Sequence, residues 1–452
     1  MREPGHILLI SCYELGHPPF AVASAAGFLE RAGFRPDVLD VAVERFDEAK
    51  ARRARLVLIS VPMHTALRLG VRVAERVRAV NPGARIAFFG LYATLNDEYL
   101  RREAGAVATV GGELEEGLVA LAREPDSSAS PSASASAILK RLPFAVPSRS
   151  ALPPLERYAR LIDAGGEERV AGYVEASRGC LHLCRHCPIP PVYGGRFFVL
   201  PREVVLEDVR RQVAAGATHV TFGDPDFLNG PGHSLAIARA LHAEHPRLTF
   251  DVTTKVEHIL KYRQVFQELA ACGCIFVVTA AESLSDRVLG ELEKGHARAD
   301  VGAALAVVRG AGIALRPTWV PFTPWETLAG YVDILEFIER EGLVDHVDPV
   351  QYSIRLLIPP GSALLGRPGV ERFLRGLDEP AFCWRWTHPD PRMDRLQAEV
   401  AALVASDAEA GEDAAATVAK VRALAEPRRP ARAAPPGRDR RRAPRLSEPW
   451  FC

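Results

Sequence analysis

Two runs of alternating strand and helix signals restrict this chain of 452 residues to a fold built from at least two α/β units. In the first run, from residue 6 to about 122, short apolar stretches alternate with amphipathic ones. The apolar stretches read HILLIS, PDVLDV, LVLISVP, RIAFFG and GAVATVGG. This pattern predicts an open, Rossmann-like parallel sheet with helices on both faces. Such sheets bind ligands beyond the carboxyl ends of their strands.

The second run extends from about residue 170 to 360. Its strand candidates are GYVEASRG, HVTFGD, LTFDVTT, CIFVVTAAE, IALRPTWVPF and PVQYSIRLL. Helical stretches separate them, as in PREVVLEDVRRQVAAG, where Leu206, Val209 and Val213 share one face. Six strand and helix units predict a partial (β/α)6 TIM-like barrel, with active residues on the loops at the strand ends.

Composition divides the rest of the chain. Residues 124–137 are rich in Ser, Ala and Pro, and predict a flexible linker. Two Ala-rich helices are expected at about 391–405 and 411–425, and the Arg/Pro-rich residues after them should be disordered. The predicted units are an α/β domain at 1–123, a linker at 124–165, a barrel at 166–365, a helical region at 366–425 and a tail at 426–452.

Charge and hydropathy limit the partners. Lys+Arg and Asp+Glu number 56 each, so no global charge favours nucleic acid or a membrane surface, and the basic tail is interpreted as a solvated arm. The amino terminus lacks the features of a signal peptide, and no apolar segment is long enough to span a bilayer. We therefore expect a cytoplasmic protein that binds neither nucleic acid nor membranes.

Three of the eight cysteines crowd into the stretch RGCLHLCRHCPIP, with the spacing C-x3-C-x2-C. In a reducing compartment this spacing favours metal ligation or redox chemistry over a disulfide. The thiolates of Cys180, Cys184 and Cys187 can bind three irons of a [4Fe–4S] cluster. No fourth cysteine lies near them in sequence, which leaves one iron open to a substrate or cofactor.

Two other interpretations of these cysteines remain open. His182 and His186 interleave with them, so a zinc-stabilised binding module with mixed Cys and His ligands is conceivable, although a second ligand pair is missing. A non-enzymatic iron–sulfur sensor or electron carrier is the other alternative.

The C-x3-C-x2-C loop, placed at the end of the first strand of the barrel, resembles the radical S-adenosylmethionine (SAM) superfamily. The resemblance implies that SAM chelates the open iron and that the reduced cluster cleaves it to methionine and a 5′-deoxyadenosyl radical, which usually abstracts hydrogen from a substrate. It also implies an external electron donor such as flavodoxin or ferredoxin. The substrate, a small molecule or a peptide, is not identified by the sequence.

The same resemblance suggests SAM-binding residues. His186 stands where the family commonly has an aromatic residue against the adenine. The stretch TFGDPDF, which contains Gly223, Asp224 and Asp226, occupies the place of the Gly/acid motif that receives the SAM amino group.

Further matches follow the later strands. The stretch AAESLSDRVLGELEKGH resembles ESGSDRVL…KG of many relatives, which makes Glu282 and Ser283 candidates for the SAM ribose or carboxylate. Residues 286–294 are expected to form an ordinary helix. Pro324 and Glu326 are retained from the family's GFPGET loop, and LIPPGSALL resembles its closing segment.

The order of the two units resembles the cobalamin-binding subclass of this superfamily. Tyr92 stands where a histidine is common, and the Asp-x-His-x-x-Gly motif that supplies an axial histidine is absent, since His17 lies at a different spacing. Cobalamin is therefore expected to bind without a histidine ligand from the protein, and to support methyl transfer or another radical step. Without cobalamin, the domain would be a substrate-docking module. The expected cobalamin contacts are Ser60, Gly90, Gly111 and Gly112.

The remaining cysteines are scattered. Cys12, Cys272, Cys274 and Cys383 are interpreted as core thiols. Cys452 ends the stretch SEPWFC, which resembles a group of chains that finish in Cys-Cys-Ala-Glu-Pro or Cys-selenocysteine-Ala-Glu-Pro. We therefore expect Cys452 to be a catalytic tail thiol in a sequence cut at a UGA selenocysteine codon, with a genuine terminus as the alternative. The DNA beyond codon 452 distinguishes the two.

Overall fold

The computed structural model describes residues 1–124, 137–426 and 442–447. Its strands are β1 (Ile7–Ser11), β2 (Asp37–Asp40), β3 (Leu56–Ser60), β4 (Arg85–Phe89), β5 (Ala108–Val110), β6 (Arg160–Ile162), β7 (Glu168–Val174), β8 (Ser177–Gly179), β9 (Phe197–Val199), β10 (His219–Phe222), β11 (Thr249–Thr253), β12 (Cys274–Glu282), β13 (Ala314–Trp319), β14 (Leu374–Asp378), β15 (Cys383–Trp386) and β16 (Arg445–Leu446). Its α-helices are α1 (Phe20–Arg31), α2 (Glu48–Arg53), α3 (His64–Val80), α4 (Leu91–Leu95), α5 (Asp97–Arg102), α6 (Glu115–Arg123), α7 (Ile189–Tyr193), α8 (Arg202–Ala214), α9 (Pro231–Glu244), α10 (Val256–Lys261), α11 (Phe266–Ala271), α12 (Asp286–Leu292), α13 (Arg298–Gly310), α14 (Leu328–Arg340), α15 (Pro391–Ala410) and α16 (Ala414–Ala425).

The amino-terminal sheet is parallel throughout, with the strand order β2-β1-β3-β4-β5. Successive residues of β1 point to opposite faces, as the pleat requires. Ile7 and Leu9 pack with α1 and α6, whereas Leu8 and Ile10 pack with α3. Both faces of the sheet are therefore covered, and the predicted open α/β unit is confirmed.

The second sheet has seven strands in the order β13-β12-β11-β10-β7-β6-β16. The five strands from β7 and β10 to β13 run parallel, and the sheet curls into a half-barrel, so the predicted fold class is confirmed. β6 and β16 extend the β7 edge in antiparallel fashion.

The segment predicted as the sixth barrel strand is different. It forms a 3-10 helix, Pro349–Ser353, followed by a single bridge between Phe322 and Arg355. Pro349 has no backbone N–H to give to a ladder. At the edge of β13, the N–H of Trp319 instead donates to the side chain of Gln351 at 2.9 Å. A side chain thus takes the place of the missing strand at this position.

The carboxyl-terminal region contains both expected helices, α15 and α16, and also a hairpin of β14 and β15 that the sequence did not indicate. Beyond it, β16 pairs with β6, and Ser447 N donates to Arg160 O at 2.7 Å. Arg316 on β13 contacts Pro444 O at 3.4 Å, so the segment 442–447 reaches both edges of the half-barrel. Within the part of the chain that is described, no helix has the length and apolar character to cross a membrane.

Candidate active site

The three clustered cysteines lie on a loop that a small antiparallel sheet closes. β8 leads into the loop and β9 follows it, and Cys180 N donates to Arg196 O at 3.1 Å. Gly179 has a φ of +74°, and a Cβ there would lie 2.4 Å from Arg196 O, so this position requires glycine. Because β7 ends at Val174, the stretch GYVEASRG is two strands rather than the single one predicted.

All three cysteines line one cavity of about 420 Å³. Cys180 and Cys184 are buried, and Cys187 is partly exposed. Burial raises the pKa of Cys180 and raises that of Cys187 to about 12, so these two thiols are protonated until a metal displaces their protons. Among the described residues no other cysteine lines this cavity. The donor set is therefore three sulfurs from one loop, which fits an iron–sulfur cluster with one open iron.

The two histidines that interleave with the cysteines face carboxylates. Nε2 of His182 lies 3.3 Å from Asp226, and Nε2 of His186 lies 3.2 Å from Glu282. The described residues therefore do not form the mixed Cys and His ligand set of a zinc module.

His186 belongs to a charged group at one wall of the cavity. Lys294 Nζ lies 3.1 Å from the same oxygen of Glu282 that His186 contacts. Burial alone would raise the pKa of Glu282, but Lys294 and His186 bring it well below its usual range. Lys294 lies just after α12, is buried and lines the cavity. The expectation of an ordinary helix for residues 286–294 missed it, because a lysine in a helical stretch usually faces solvent.

Glu282 itself has a strained backbone. Its φ is +64°, and the β12–β13 register shifts between Ala280 and Glu282. A left-handed glutamate is rare in a strand and redirects the side chain into the cavity, where it is found. The next residue, Ser283, is fully buried and donates to Glu326 at 2.6 Å. Ser283 and Glu326 thus contact each other behind the cavity wall.

Gly223 and Asp224 line the cavity at the end of β10, whereas Asp226 lies beneath its wall. A Cβ on Gly223 would fall 1.8 Å from the hydroxyl oxygen of Tyr173, which explains the glycine. Asp224 accepts from Ser177 Oγ at 2.6 Å and from Ala176 N at 2.8 Å, and burial raises its pKa to about 6. Both oxygens of Asp224 therefore hold the start of β8 against the end of β10.

Two loops of the amino-terminal domain form part of the wall of the same cavity. Glu14, Leu15 and His17 from the loop after β1, and Pro62 and Met63 from the loop after β3, line it together with the cysteines. Burial, followed by the nearby Asp40, raises the pKa of Glu14 to about 8, and burial lowers that of His17 to about 4. The carboxyl ends of the first sheet thus face the mouth of the barrel.

The residues expected to contact cobalamin lie at the ends of β3, β4 and β5, and none of them lines the cavity. Ser60 Oγ and Thr94 Oγ1 are buried and lack a hydrogen-bond partner among the described residues. A Cβ on Gly111 would lie 1.8 Å from Thr94 Oγ1, and one on Gly112 would lie 2.3 Å from Ile138 O. Gly90 has a φ of +110°, and a Cβ there would lie less close, 3.1–3.2 Å from the backbone at residues 61 and 62.

Of the residues expected to contact cobalamin, Ser60 fits a ligand, whereas two of the glycines are covered by other residues. The unpaired hydroxyl of Ser60, directly below the loop that lines the cavity, fits a polar group of a ligand held between the two domains. Gly111 and Gly112 are covered by Thr94 and Ile138. Tyr92, in the position where a histidine is common, is buried with its ring 6.0 Å from that of His64.

A buried ionic group joins the two domains beside the cysteine loop. Arg178 on β8 contacts Glu115 of α6 at 2.6 Å and Glu175 at 2.9 Å, lies 3.9 Å from Glu113, and donates to Ser24 of α1. This group is not apparent in the sequence, because its members lie up to 154 positions apart. It fixes the start of the cysteine loop to the amino-terminal domain.

The other cysteines do not join the cavity. Cys12, Cys272 and Cys274 are buried free thiols, as expected of core cysteines, whereas Cys383 is a free thiol that is partly exposed and so not a core residue. Cys452 lies outside the described residues, as do residues 125–136 of the expected linker and 427–441 of the tail.

Comparison with known proteins identifies both domains. Residues 7–122 match the family model described as a B12 binding domain, and residues 174–335 match that of the radical SAM superfamily. The chain therefore consists of a B12-binding domain followed by a radical SAM domain, the combination found in cobalamin-dependent radical SAM enzymes. These domains imply a [4Fe–4S] cluster, SAM and cobalamin as cofactors.

A curated relative and two solved structures match this chain over part of their length. The hopanoid C-3 methylase of Methylococcus capsulatus is 25% identical over 153 residues, which are 34% of this chain and 29% of that protein's length. The radical SAM methyltransferase TsrM from Kitasatospora setae, solved with cobalamin and a [4Fe–4S] cluster, has a TM-score of 0.58 and 18% identity over 74% of this chain and 73% of its own. OxsB, solved with aqua-cobalamin and SAM, has a TM-score of 0.63 and 13% identity over 89% of this chain and 67% of its own.

Proposed function

We propose that this chain is a cobalamin-dependent radical SAM enzyme that transfers a methyl group to, or otherwise modifies, a small-molecule or peptide substrate. The observation that carries the proposal is that the three clustered thiols and the strand-end loops of the B12-binding domain line one cavity. When bound, the reduced cluster supplies the electron that breaks a carbon–sulfur bond of SAM, and cobalamin supplies a methyl carrier. The names of the hopanoid methylase and of TsrM support methyl transfer.

The proposed SAM site follows from the walls of the cavity. Cys180, Cys184 and Cys187 would hold the cluster, and one of its irons would stay open to SAM. Gly223 and Asp224, at the end of β10, are assigned to the amino group.

His186 is assigned to the adenine, and Glu282 to the ribose or the carboxylate. Lys294 keeps Glu282 ionised as an acceptor. Asp226 and Ser283 do not line the cavity, so we assign them to the support of its wall.

Cobalamin is assigned to the space where the loops after β1 and β3 face the cysteine loop. His17 and Met63 would contact cobalamin, and the hydroxyl of Ser60 would hydrogen-bond to a polar group at its edge. A ligand group that reached Gly90, Gly111 or Gly112 would have to displace Thr94 or Ile138.

An external electron donor such as flavodoxin or ferredoxin would complete the reaction. Leu181 and Leu183 on the cysteine loop are 46% and 56% exposed, which is unusual for leucine so close to a buried site. We assign this apolar pair to the contact with the donor. A reductant and an oxygen-sensitive cluster suit the reducing cytosol.

Anaerobic reconstitution with iron and sulfide tests the proposal. The expected result is a brown protein that, with dithionite, cleaves SAM to 5′-deoxyadenosine and methionine, and that forms S-adenosylhomocysteine when cobalamin is added. Cys184→Ala should lose the cluster and this activity. Cys383→Ala, which alters a partly exposed thiol away from the cavity, should keep both. A brown protein that leaves SAM intact would instead be an electron carrier or sensor, and a colourless zinc protein would be a binding module.

A further inference from the structure

Three metal-ligating side chains meet beneath the cavity wall. His182 comes from the cysteine loop, Asp226 from the segment after β10, and His258 from α10, which follows β11. We call them the His–Asp–His group. Their side chains are 13%, 0% and 5% exposed, so water does not solvate them freely.

The donor atoms of the group face one another. Asp226 Oδ2 lies 3.3 Å from His182 Nε2 and 2.8 Å from His258 Nδ1, and all three atoms fall within 4.8 Å of one another. All three are buried, and none makes a hydrogen bond of normal geometry within the described part of the chain. Atoms bound at about 2.0–2.2 Å to one tetrahedral ion lie about 3.3–3.6 Å apart. The two separations from Asp226 Oδ2 are within about half an ångström of that range.

Neighbouring residues orient these donors as the surroundings of a metal site do. Asp226 Oδ1 accepts from Thr254 Oγ1 at 2.7 Å and from Leu228 N at 3.1 Å, which leaves Oδ2 for the group. On the far side of the His182 ring, Nδ1 lies 3.6 Å from Glu257. A carboxylate beside the second ring nitrogen is a common neighbour of a metal-binding histidine, although 3.6 Å is longer than a hydrogen bond.

We propose that His182, Asp226 and His258 bind one divalent first-row transition cation of the Zn²⁺ type, separate from the cluster and without a cysteine ligand. Two imidazoles and one carboxylate are a donor set for such ions. The ion ties the cysteine loop to the ends of β10 and β11, and so holds the three thiols in place before the cluster is assembled. This site does not depend on the proposed function.

Metal analysis of the full chain tests this site. The anaerobically reconstituted protein is incubated with Zn²⁺, desalted and analysed by mass spectrometry of its metals. We expect one zinc per chain in addition to the cluster iron, and a thermal midpoint that rises with Zn²⁺. His258→Gln should keep the iron and lose the zinc, whereas His242→Gln, on α9 outside the group, should keep both.

Co²⁺ in place of Zn²⁺ identifies the ligands. We expect visible d–d bands without the near-ultraviolet band of a thiolate ligand, and the loss of these bands in His258→Gln. Wild-type protein that carries iron but no zinc overturns the proposal without any reference to a variant. Zinc retained equally by His258→Gln, or a cobalt–thiolate band, also overturns it. If the protein cleaves SAM but binds no zinc, the metal site is refuted and the proposed enzyme is not. If it binds zinc but does not cleave SAM, the proposed enzyme is refuted and the metal site is not.

Discussion

The replacement of Arg178 by glutamine tests the ionic link between the two domains. Arg178 is the cation shared by Glu113, Glu115 and Glu175, and its side chain is only 10% exposed. Removal of one partner from a buried ion pair costs about 3–5 kcal/mol, because the remaining charges are left without compensation. We therefore expect Arg178→Gln to lower the free energy of unfolding by about 3–5 kcal/mol at about pH 8.

The loss should depend on pH in a defined direction. Burial raises the pKa of Glu113 and of Glu175 to about 7, although Arg178 lowers both values. A carboxyl group whose pKa is raised on folding favours the folded state at low pH, and this contribution is lost as the pH rises through the folded pKa. Without Arg178 both values rise further, at about 1.4 kcal/mol per pKa unit. At about pH 5.5 both groups are protonated, and the loss should be smaller.

Urea unfolding followed by circular dichroism measures this loss. The matched control is Arg210→Gln, because Arg210 also contacts two glutamates, Glu207 at 3.3 Å and Glu244 at 2.7 Å, but is 39% exposed. We expect this control to change stability by less than about 1 kcal/mol. A loss in Arg178→Gln no greater than in the control, or the same loss at both pH values, would refute the reasoning.

Three further changes test the walls of the cavity. Gly223→Ala should lose about 1–3 kcal/mol of stability in urea unfolding, because its Cβ would meet the hydroxyl and the ring carbon Cζ of Tyr173, and an unchanged stability would refute the clash. Lys294→Met should leave Glu282 without its buried cation and lower the free energy of unfolding by about 3–5 kcal/mol. It should also weaken the binding of SAM in equilibrium dialysis. An unchanged affinity for SAM would show that Lys294 is not part of the site. Deletion of residues 442–452 removes β16 from the half-barrel and should speed the release of cluster iron to a chelator, and an unchanged rate would argue against a closing role.

The periodic parts of the fold were predictable from the sequence. Each strand of the first sheet is a short apolar run with turn residues at its ends, and burial on both faces leaves little choice of register. The spacing of Cys180, Cys184 and Cys187 is equally local, so the cysteine loop could be recognised without a structure. Gly223 was proposed because the stretch TFGDPDF follows a predicted strand and stands in the place of the family's Gly/acid motif.

Features that depend on contacts between distant residues were missed. Lys294 lies in a stretch with a helical pattern. The burial of its side chain becomes apparent only from its contact with Glu282 in the folded chain. An arginine such as Arg178 is expected at the surface. Its burial becomes apparent only from its contact with Glu115, which lies on α6. The stretch PVQYSIRLL has the apolar content of a strand, yet Pro349 and the contact of Gln351 with β13 turn it into a 3-10 helix.

The edge of the half-barrel formed by β16 also sets an order of events during synthesis. Ser447 contacts Arg160 across 287 positions of the chain, so the five parallel strands leave the ribosome long before the strand that completes this side. β13 ends at Trp319 and β16 begins at Arg445, 126 positions later, so at about 5–20 residues per second the interval is roughly 6–25 s. During that time the nascent barrel is open beside β6, and Leu446 has not yet taken its place in the cavity lining. Iron and sulfide delivered in this interval would reach the thiols through a side that the finished protein closes.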